Sequence, residues 1–293
     1  MERRILCLDI GGTSIKHALC DERGQMLEIG KVAIGEDLDT FLEQIRSVYE
    51  KTGDVDGIAC SFPGEVHSQE GVIYGISALP YIHECPIKEM ISQRCDSKKV
   101  TLLNDANAAA LGEAWLGVGK DYKNIAFVIV GSGVGGAVIE NGELYPGTTM
   151  NKAEIGNFPM GGIEDGELLC WSSFTLDKEA KKYSKKHQST IDGKGLMRLA
   201  EDGDPEAAAC VDEFYHYMAV GCVCVQFAYD PEIIAIGGGI SENAAIMEGI
   251  LNAYKELVKG QQQEYLKPTI LACKRGNDAN LLGALAFYLR SEA

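Results

Sequence analysis

The sequence predicts an α/β chain built as two similar halves. Strand-like apolar runs alternate with segments of helical periodicity, and each half opens on a glycine-tipped hairpin. The composition agrees: 293 residues, 46% apolar and 24% charged, are those of an ordinary globular protein long enough for two domains.

The first half opens with an apolar run at 4–10, a Gly-Gly-Thr turn and a second run at 15–20, which together read as a hairpin. Between 36 and 50, Leu38, Phe41, Leu42, Ile45, Val48 and Tyr49 recur at helical spacing, and 55–60 reads as strand again. A strand over 100–103 and a helix over 106–116 complete this half. The boundary falls at 117–124. The second half starts with a strand over 125–130, turns at Gly131, Ser132 and Gly133, and runs on as strand to Glu140, where Asn141-Gly142 signals another turn. Residues 151–166 mix glycine, proline and polar residues without periodicity and read as a functional loop. Helices follow over 194–201 and 205–229, then a strand over 232–236, a Gly237-Gly238-Gly239 break, a helix starting near Ser241 and a last helix over 278–290.

A net charge of -16 opposes attraction to nucleic acid or to anionic membrane surfaces. The first apolar run carries Asp9, unlike a signal peptide, and no window holds the run of about 18 apolar residues that a membrane span needs. The ten cysteines are scattered without a CxxC pair, which points to reduced thiols in a cytoplasmic protein. Cys222 and Cys224 read as core thiols of one helix. The five histidines show no metal-ligand spacing.

Four motifs carry chemistry. In Asp9-Ile10-Gly11-Gly12-Thr13 a carboxylate at a strand end precedes two residues without Cβ, so backbone N–H groups can approach a phosphate closely while Asp9 holds hydrated Mg²⁺. Lys16 adds positive charge. An ordinary hairpin turn is the competing reading. Gly131 to Gly136 repeats the logic with Ser132; strand follows it rather than helix, which argues against dinucleotide binding. Asn104-Asp105 stands between a strand and an alanine-rich helix. It reads as an N-cap, or as a carboxylate that receives a substrate hydroxyl proton; with an ordinary pKa of about 3.9 such a base chiefly orients the nucleophile. Gly237 to Ser241 reads as a backbone platform for an adenine ring, or as a tight turn with Ser241 as helix cap.

In this order, and over nearly the whole chain, these motifs resemble the ROK (repressor, open reading frame, kinase) family. The resemblance implies an actin-like ATPase (ribonuclease H-like) fold with two lobes and an interlobe cleft: a small lobe of 1–118 plus 278–293 and a large lobe of 119–277. It implies a homodimeric sugar kinase that transfers the γ-phosphoryl group of MgATP to a hexose-type hydroxyl, the 6-OH of glucose, N-acetylmannosamine or a β-glucoside. Asp105 is then the catalytic base. Gly64, Asn104, Asp105, Glu154, Asn157 and Glu167 contact the sugar, although alignment equally puts Cys170 in the place of Glu167. Asp9, Gly11, Gly12, Thr13, Lys16, Gly131, Ser132, Gly133, Gly238 and Gly239 hold ATP, with Asp9 near the magnesium.

The sequence departs from the family's usual pattern at Asn157, where zinc-containing members have histidine; Asn157 binds the sugar in its place or closes the loop. With Cys170 the only cysteine between 158 and 171, and a structural zinc site needing about four ligands, no zinc is expected. The chain thus looks like the zinc-free subset that includes β-glucoside kinases and some N-acetylmannosamine kinases. Two other classes stay open: a sugar-responsive regulator, opposed by the lack of a helix-turn-helix before the first strand, and an actin-like ATPase that needs no sugar.

Overall fold

The opening apolar run forms strand β1 (Arg4–Ile10), and it is apolar from Ile5 to Leu8 because both of its faces are covered there. The computed structural model describes residues 3–75, 77–145, 147, 153–164, 166–262 and 269–292. They form two compact units: the first holds the chain up to Asp121, Gly147 and the chain from Asn277 on, and the second holds the rest.

In the first unit β1 is followed by β2 (Ser14–Asp21), β3 (Met26–Ala33), α1 (Leu38–Thr52), β4 (Gly57–Phe62), the small hairpin β5 (Glu65–His67) and β6 (Val72–Tyr74), α2 (Ile87–Arg94), β7 (Lys99–Asn104) and α3 (Asp105–Leu116). The sheet order is β3-β2-β1-β4-β7, with β2 antiparallel to β1 and β3, and β4 and β7 parallel to β1. Leu6, Leu8 and Ile10 pack with Phe41, Leu42 and Ile45 of α1, whose start is capped by Asp37 accepting from the Thr40 N–H.

The second unit contains β8 (Ile125–Val130), β9 (Val134–Glu140), β10 (Glu143–Leu144), β11 (Pro159–Glu164), β12 (Glu167–Cys170), α4 (Leu176–His187), α5 (Gly193–Glu201), α6 (Pro205–Tyr229), β13 (Ile233–Gly237), α7 (Ala244–Gly260) and β14 (Thr269–Ala272). Its sheet runs β10-β9-β8-β13-β14, the same order and the same strand senses as the first. This is the duplication that the paired glycine-tipped hairpins predicted. Part of the expected functional loop is instead the β11–β12 hairpin, which displays the cross-strand pair Ile163 and Leu168 to solvent; residues 151, 152 and 165 of that loop lie outside the described residues. All ten cysteines are free, but Cys224 is only half-buried, so the core reading holds for Cys222 alone. No helix among the described residues is long and apolar enough to cross a membrane.

The last helix, α8 (Ala279–Arg290), belongs to the first unit and covers the face of the sheet opposite α1, its Leu281, Ala284, Leu285 and Tyr288 packing on Ile5, Cys7, Ala18 and Ala59. It meets α3 backbone to backbone. A Cβ at Gly283 would lie 1.6 Å from the Ala108 carbonyl oxygen, and one at Gly112 would lie 2.1 Å from that of Ala279. In the second unit Glu179 of α4 is buried against α6 beside Lys182, Glu213 and Cys210, and its Oε2 has no good hydrogen bond although the Lys182 ammonium stands 3.5 Å away. Burial, helped by the Glu213 charge and opposed by Lys182, pushes the Glu179 carboxyl up to about 7.

Two outcomes follow for stability. Gly283→Ala forces two backbones apart and should cost about 3 kcal/mol or more in denaturant unfolding; a variant as stable as wild type would mean that the helices do not touch there. Because folded Glu179 keeps its proton above the ordinary carboxyl value of 4.5, the protein should lose stability as pH rises from there to about 7. Glu179→Gln should therefore match wild type at the acid end and exceed it by on the order of 2 kcal/mol at about pH 8, and a difference independent of pH would refute the assignment.

Candidate functional site

Two aspartates converge in the first unit. Asp9 is next to last in β1, its register partner is Lys16 on β2 and Ser61 on β4, and strand alternation turns it to the α8 face. Ser61 Oγ donates to Asp9 Oδ1 at 3.3 Å, and Asn280 Nδ2 donates to the same oxygen at 3.1 Å and to Ser61 Oγ at 3.4 Å. Burial raises the Asp9 pKa, opposed by the Asn280 hydrogen bond, the Lys16 charge and Ser61. Lys16 also donates to Asn277 Oδ1 at 3.2 Å.

Asp105 is the first residue of α3. The preceding Asn104 is its N-cap, Oδ1 accepting from the Asn107 N–H at 3.1 Å, so the cap reading holds for Asn104. Asn104 Nδ2 donates to the Gly64 carbonyl and to Asp105 Oδ1, each at 3.0 Å. Gly64 has φ +98°, a left-handed conformation that suits glycine. The Ala106 N–H donates to Asp105 Oδ1 at 2.8 Å. Burial raises the Asp105 pKa, the Ala106 N–H lowers it, the nearby Asp9 charge raises it again and Asn104 lowers it, with a net upward shift. The carboxylate is therefore a stronger base than its residue type suggests. In both aspartates the hydrogen bonds enter Oδ1, and Oδ2 accepts none among the described residues.

The two hairpin turns share one design. The Gly11 N–H closes the first turn on the Ser14 carbonyl and the Gly131 N–H closes the second on that of Gly133, each at 2.9 Å. These two N–H groups are thus spent within the turns, unlike the free donors that the glycine spacing suggests. The following pairs, Gly12 with Thr13 and Ser132 with Gly133, make no N–H hydrogen bond among the described residues, leaving two adjacent donors at each turn. The second turn is fastened from outside: Thr175 Oγ1, which also caps α4, donates to the Ser132 carbonyl at 3.3 Å, and Ser172 Oγ accepts from the Val134 N–H at 2.9 Å.

Elsewhere in the second unit, Gly238 has φ +83° and lies so near β8 that a Cβ would sit 2.0 Å from the Val130 carbonyl oxygen, whereas a Cβ at Gly239 or Gly131 would meet no protein atom within 4 Å. Ser241 donates through Oγ to the Gly238 carbonyl at 2.8 Å inside a short 3₁₀ turn, and Asn243, not Ser241, caps the helix that follows. Glu154 precedes the 3₁₀ turn Ile155–Asn157, in which the Asn157 N–H donates to the Glu154 carbonyl at 3.1 Å. This segment is clamped on β9: Cβ atoms at Gly136 and Gly156 would lie 2.5 Å from the Ala153 and 1.9 Å from the Val134 carbonyl oxygens. Glu167 is exposed at the tip of the β11–β12 hairpin, paired in register with Glu164. Cys170 is at its base, opposite Pro159 and next to Trp171, whose backbone N–H donates to the Phe158 carbonyl at 2.9 Å. Three residues of strand, about 10 Å, separate the two candidates.

Ser61, Asn280, Ser172 and Thr175 escaped the sequence reading because each acts through a partner distant in the chain; only the parallel pairing of β1 with β4 shows that Ser61 faces Asp9. Among the described residues no three His, Cys, Asp or Glu side chains cluster to hold a metal ion. An octahedral cation that keeps waters and takes one carboxylate together with nucleotide phosphates fits Asp9 Oδ2.

A family model described as the ROK family matches residues 5–291. The chain is 28% identical over 297 residues to a β-glucoside kinase of Listeria monocytogenes, covering 99% of this chain and 98% of that one. Among solved structures it is similar to a ROK family protein of Streptococcus pneumoniae in complex with sucrose, at 32% identity and a TM-score of 0.92 over 99% of each chain. A ROK family glucokinase of Streptomyces griseus, in complex with glucose and AMPPNP, aligns at 25% identity and a TM-score of 0.79 over 97% of this chain and 98% of that one.

The two kinds of glycine are separable by stability alone. Gly131→Ala should melt within about 2 °C of wild type, while Gly136→Ala should lose on the order of 2 kcal/mol as its Cβ meets the Ala153 carbonyl. Equal losses would show that Gly131 is also required by packing.

Proposed function

The chain belongs to the ROK family and has its actin-like ATPase fold, and on that premise we propose that it is an ATP-dependent sugar kinase acting on the 6-OH of a hexose or β-glucoside. The observation that carries this reading is Asp105: a carboxylate half-buried at a helix start, fixed through Oδ1, raised in pKa and open at Oδ2. Phosphoryl transfer asks little covalent chemistry of a protein. It asks that the hydroxyl be aimed at the phosphorus and relieved of its proton late, and that charge on the phosphoryl oxygens be met.

In this reading the sugar hydroxyl donates to Asp105 Oδ2, and the proton passes to that oxygen as the bond to phosphorus forms. Asn104 holds Asp105 by one amide proton and the Gly64 carbonyl by the other, so the sugar-side turn and the base are set together. Glu154 and Asn157 contribute further sugar contacts. Of the two candidates for the remaining contact, Cys170 adjoins the Glu154–Phe158 segment and Glu167 does not, which supports Cys170. The paired N–H donors of Gly12 with Thr13 and of Ser132 with Gly133 bind phosphate oxygens, Lys16 adds charge, and the Gly238-Gly239 turn, open at Gly239, takes the adenosine. Magnesium, when bound with ATP, neutralises charge on the phosphates, and Asp9 Oδ2 would hold it.

The named kinases similar to this chain, and the bound sugars and AMPPNP in the similar structures, support sugar and ATP as ligands. The net charge of -16 speaks against a nucleic-acid partner, and free thiols with ATP chemistry support a cytoplasmic enzyme; likeness to the family supports a homodimer, and Asn157 with the single Cys170 between 158 and 171 supports no zinc.

ADP release from MgATP should rise sharply with one member of a panel of glucose, N-acetylmannosamine, N-acetylglucosamine, fructose and cellobiose. With that sugar, Asp105→Asn should keep binding it while turnover falls roughly 100-fold or more. Near wild-type turnover in the variant would remove Asp105 from the mechanism, and no response to any sugar would remove the kinase.

A further inference from the structure

We propose that Asn280 is a positioning residue for Asp9, locking the carboxylate so that one defined oxygen, Oδ2, is offered to the magnesium that accompanies ATP. The proposal rests on the reading of Asp9 as the residue that receives that cation.

A terminal carboxylate turns about a broad torsion, so nothing intrinsic to aspartate decides which oxygen it presents. Here the decision is made from behind. The two amide protons of Asn280 reach Asp9 Oδ1 at 3.1 Å and Ser61 Oγ at 3.4 Å, and the Ser61 hydroxyl donates to the same Oδ1 at 3.3 Å. The orientation of the amide is fixed by its neighbour, because a carbonyl oxygen facing a carboxylate would be repelled. Both donors fall on Oδ1, and Ser61 is fully buried, so the closed triangle cannot be replaced by bulk water.

What delivers Asn280 is the register of α8. Asn280 follows Ala279, whose carbonyl lies against Gly112 of α3, and precedes Gly283, which lies against the Ala108 carbonyl. Backbone contact at two points leaves α8 no freedom to slide along α3, and α3 is the helix that begins with Asp105. The helix pair that aims the base therefore also aims the cation-facing carboxylate, from a position 271 residues along the chain from Asp9.

The test is calorimetric titration of the full-length protein with ADP, in the presence of Mg²⁺ and in the presence of a chelator. The quantity read is the tightening that Mg²⁺ causes. In Asn280→Leu, which keeps the volume and removes both donors, and in Asn280→Ala, this tightening should shrink roughly 10-fold while metal-free ADP affinity stays within about 2-fold of wild type. Ser61→Ala, which removes only the second donor, should shift it in the same direction by less, and it serves as the readout if the Asn280 variants fold poorly. In kinetics the KM for MgATP should rise with the KM for sugar unchanged. Wild-type tightening in the variants overturns the proposal. So does an equal loss of affinity with and without Mg²⁺, which marks a structural role only. A wild-type protein that binds ADP without regard to Mg²⁺ overturns the role of Asp9 itself, and this proposal with it.

Discussion

Two part-buried carboxylates in one unit, with no salt bridge to either among the described residues, are the constraint on which the site depends. Burial raises the pKa of both Asp9 and Asp105, and the Asp9 charge raises that of Asp105 further. The fold answers with neutral donors aimed at one oxygen of each. For Asp105 these are the first free N–H of α3 and the amide of its own N-cap residue; for Asp9 they are a serine brought alongside by the parallel pairing of β1 with β4 and an asparagine brought by α8. The shifts remain upward despite these bonds, which agrees with the roles proposed above for Asp105 as base and Asp9 as the carboxylate facing magnesium. The glycine seam between α3 and α8 belongs to the same solution, since a side chain at either glycine would move the helix that carries the donor.

The two units use one sheet plan for different ends. In each, an antiparallel hairpin precedes two parallel strands, and its first turn glycine uses its N–H to close the turn so that the next two N–H groups face outward. The first copy has an aspartate just before the turn. The second has Ser132 within it, and its support comes from outside the sheet through Thr175 and Ser172. Duplicated backbone geometry thus leaves two sets of unspent N–H donors, which the proposed function assigns to phosphate, while a few side chains distinguish the two turns.

The sequence exposed this plan where apolar pattern and burial coincide. The run at 4–10, the helix at 205–229 and the two hairpin turns were legible because a strand covered on both faces leaves a continuous apolar run, a long packed helix a long apolar stretch, and glycine marks the turns between. β3 was not, because its Leu27, Glu28 and Ile29 are exposed in succession and alternate poorly. The sequence of α4 is mostly lysine and other polar residues around four buried positions, and the β11–β12 hairpin, rich in glycine and largely exposed, has little apolar pattern to read. In the site, Asp9, Asn104 and Asp105 stood out by their place at strand ends. Asn280 did not: near a helix start it reads as one more cap, and only the packing of α8 on the first strand shows its amide meeting Asp9.

The central claim is that phosphorus moves from ATP to a sugar oxygen, and ³¹P NMR of a mixture of the protein, MgATP and the most stimulating sugar tests it most directly. The account predicts a growing phosphate-monoester signal, split by the two protons on carbon 6, matched by loss of the γ-phosphate signal and dependent on Asp105. Accumulation of inorganic phosphate alone, at the same rate with and without sugar, would contradict it and identify an ATPase instead.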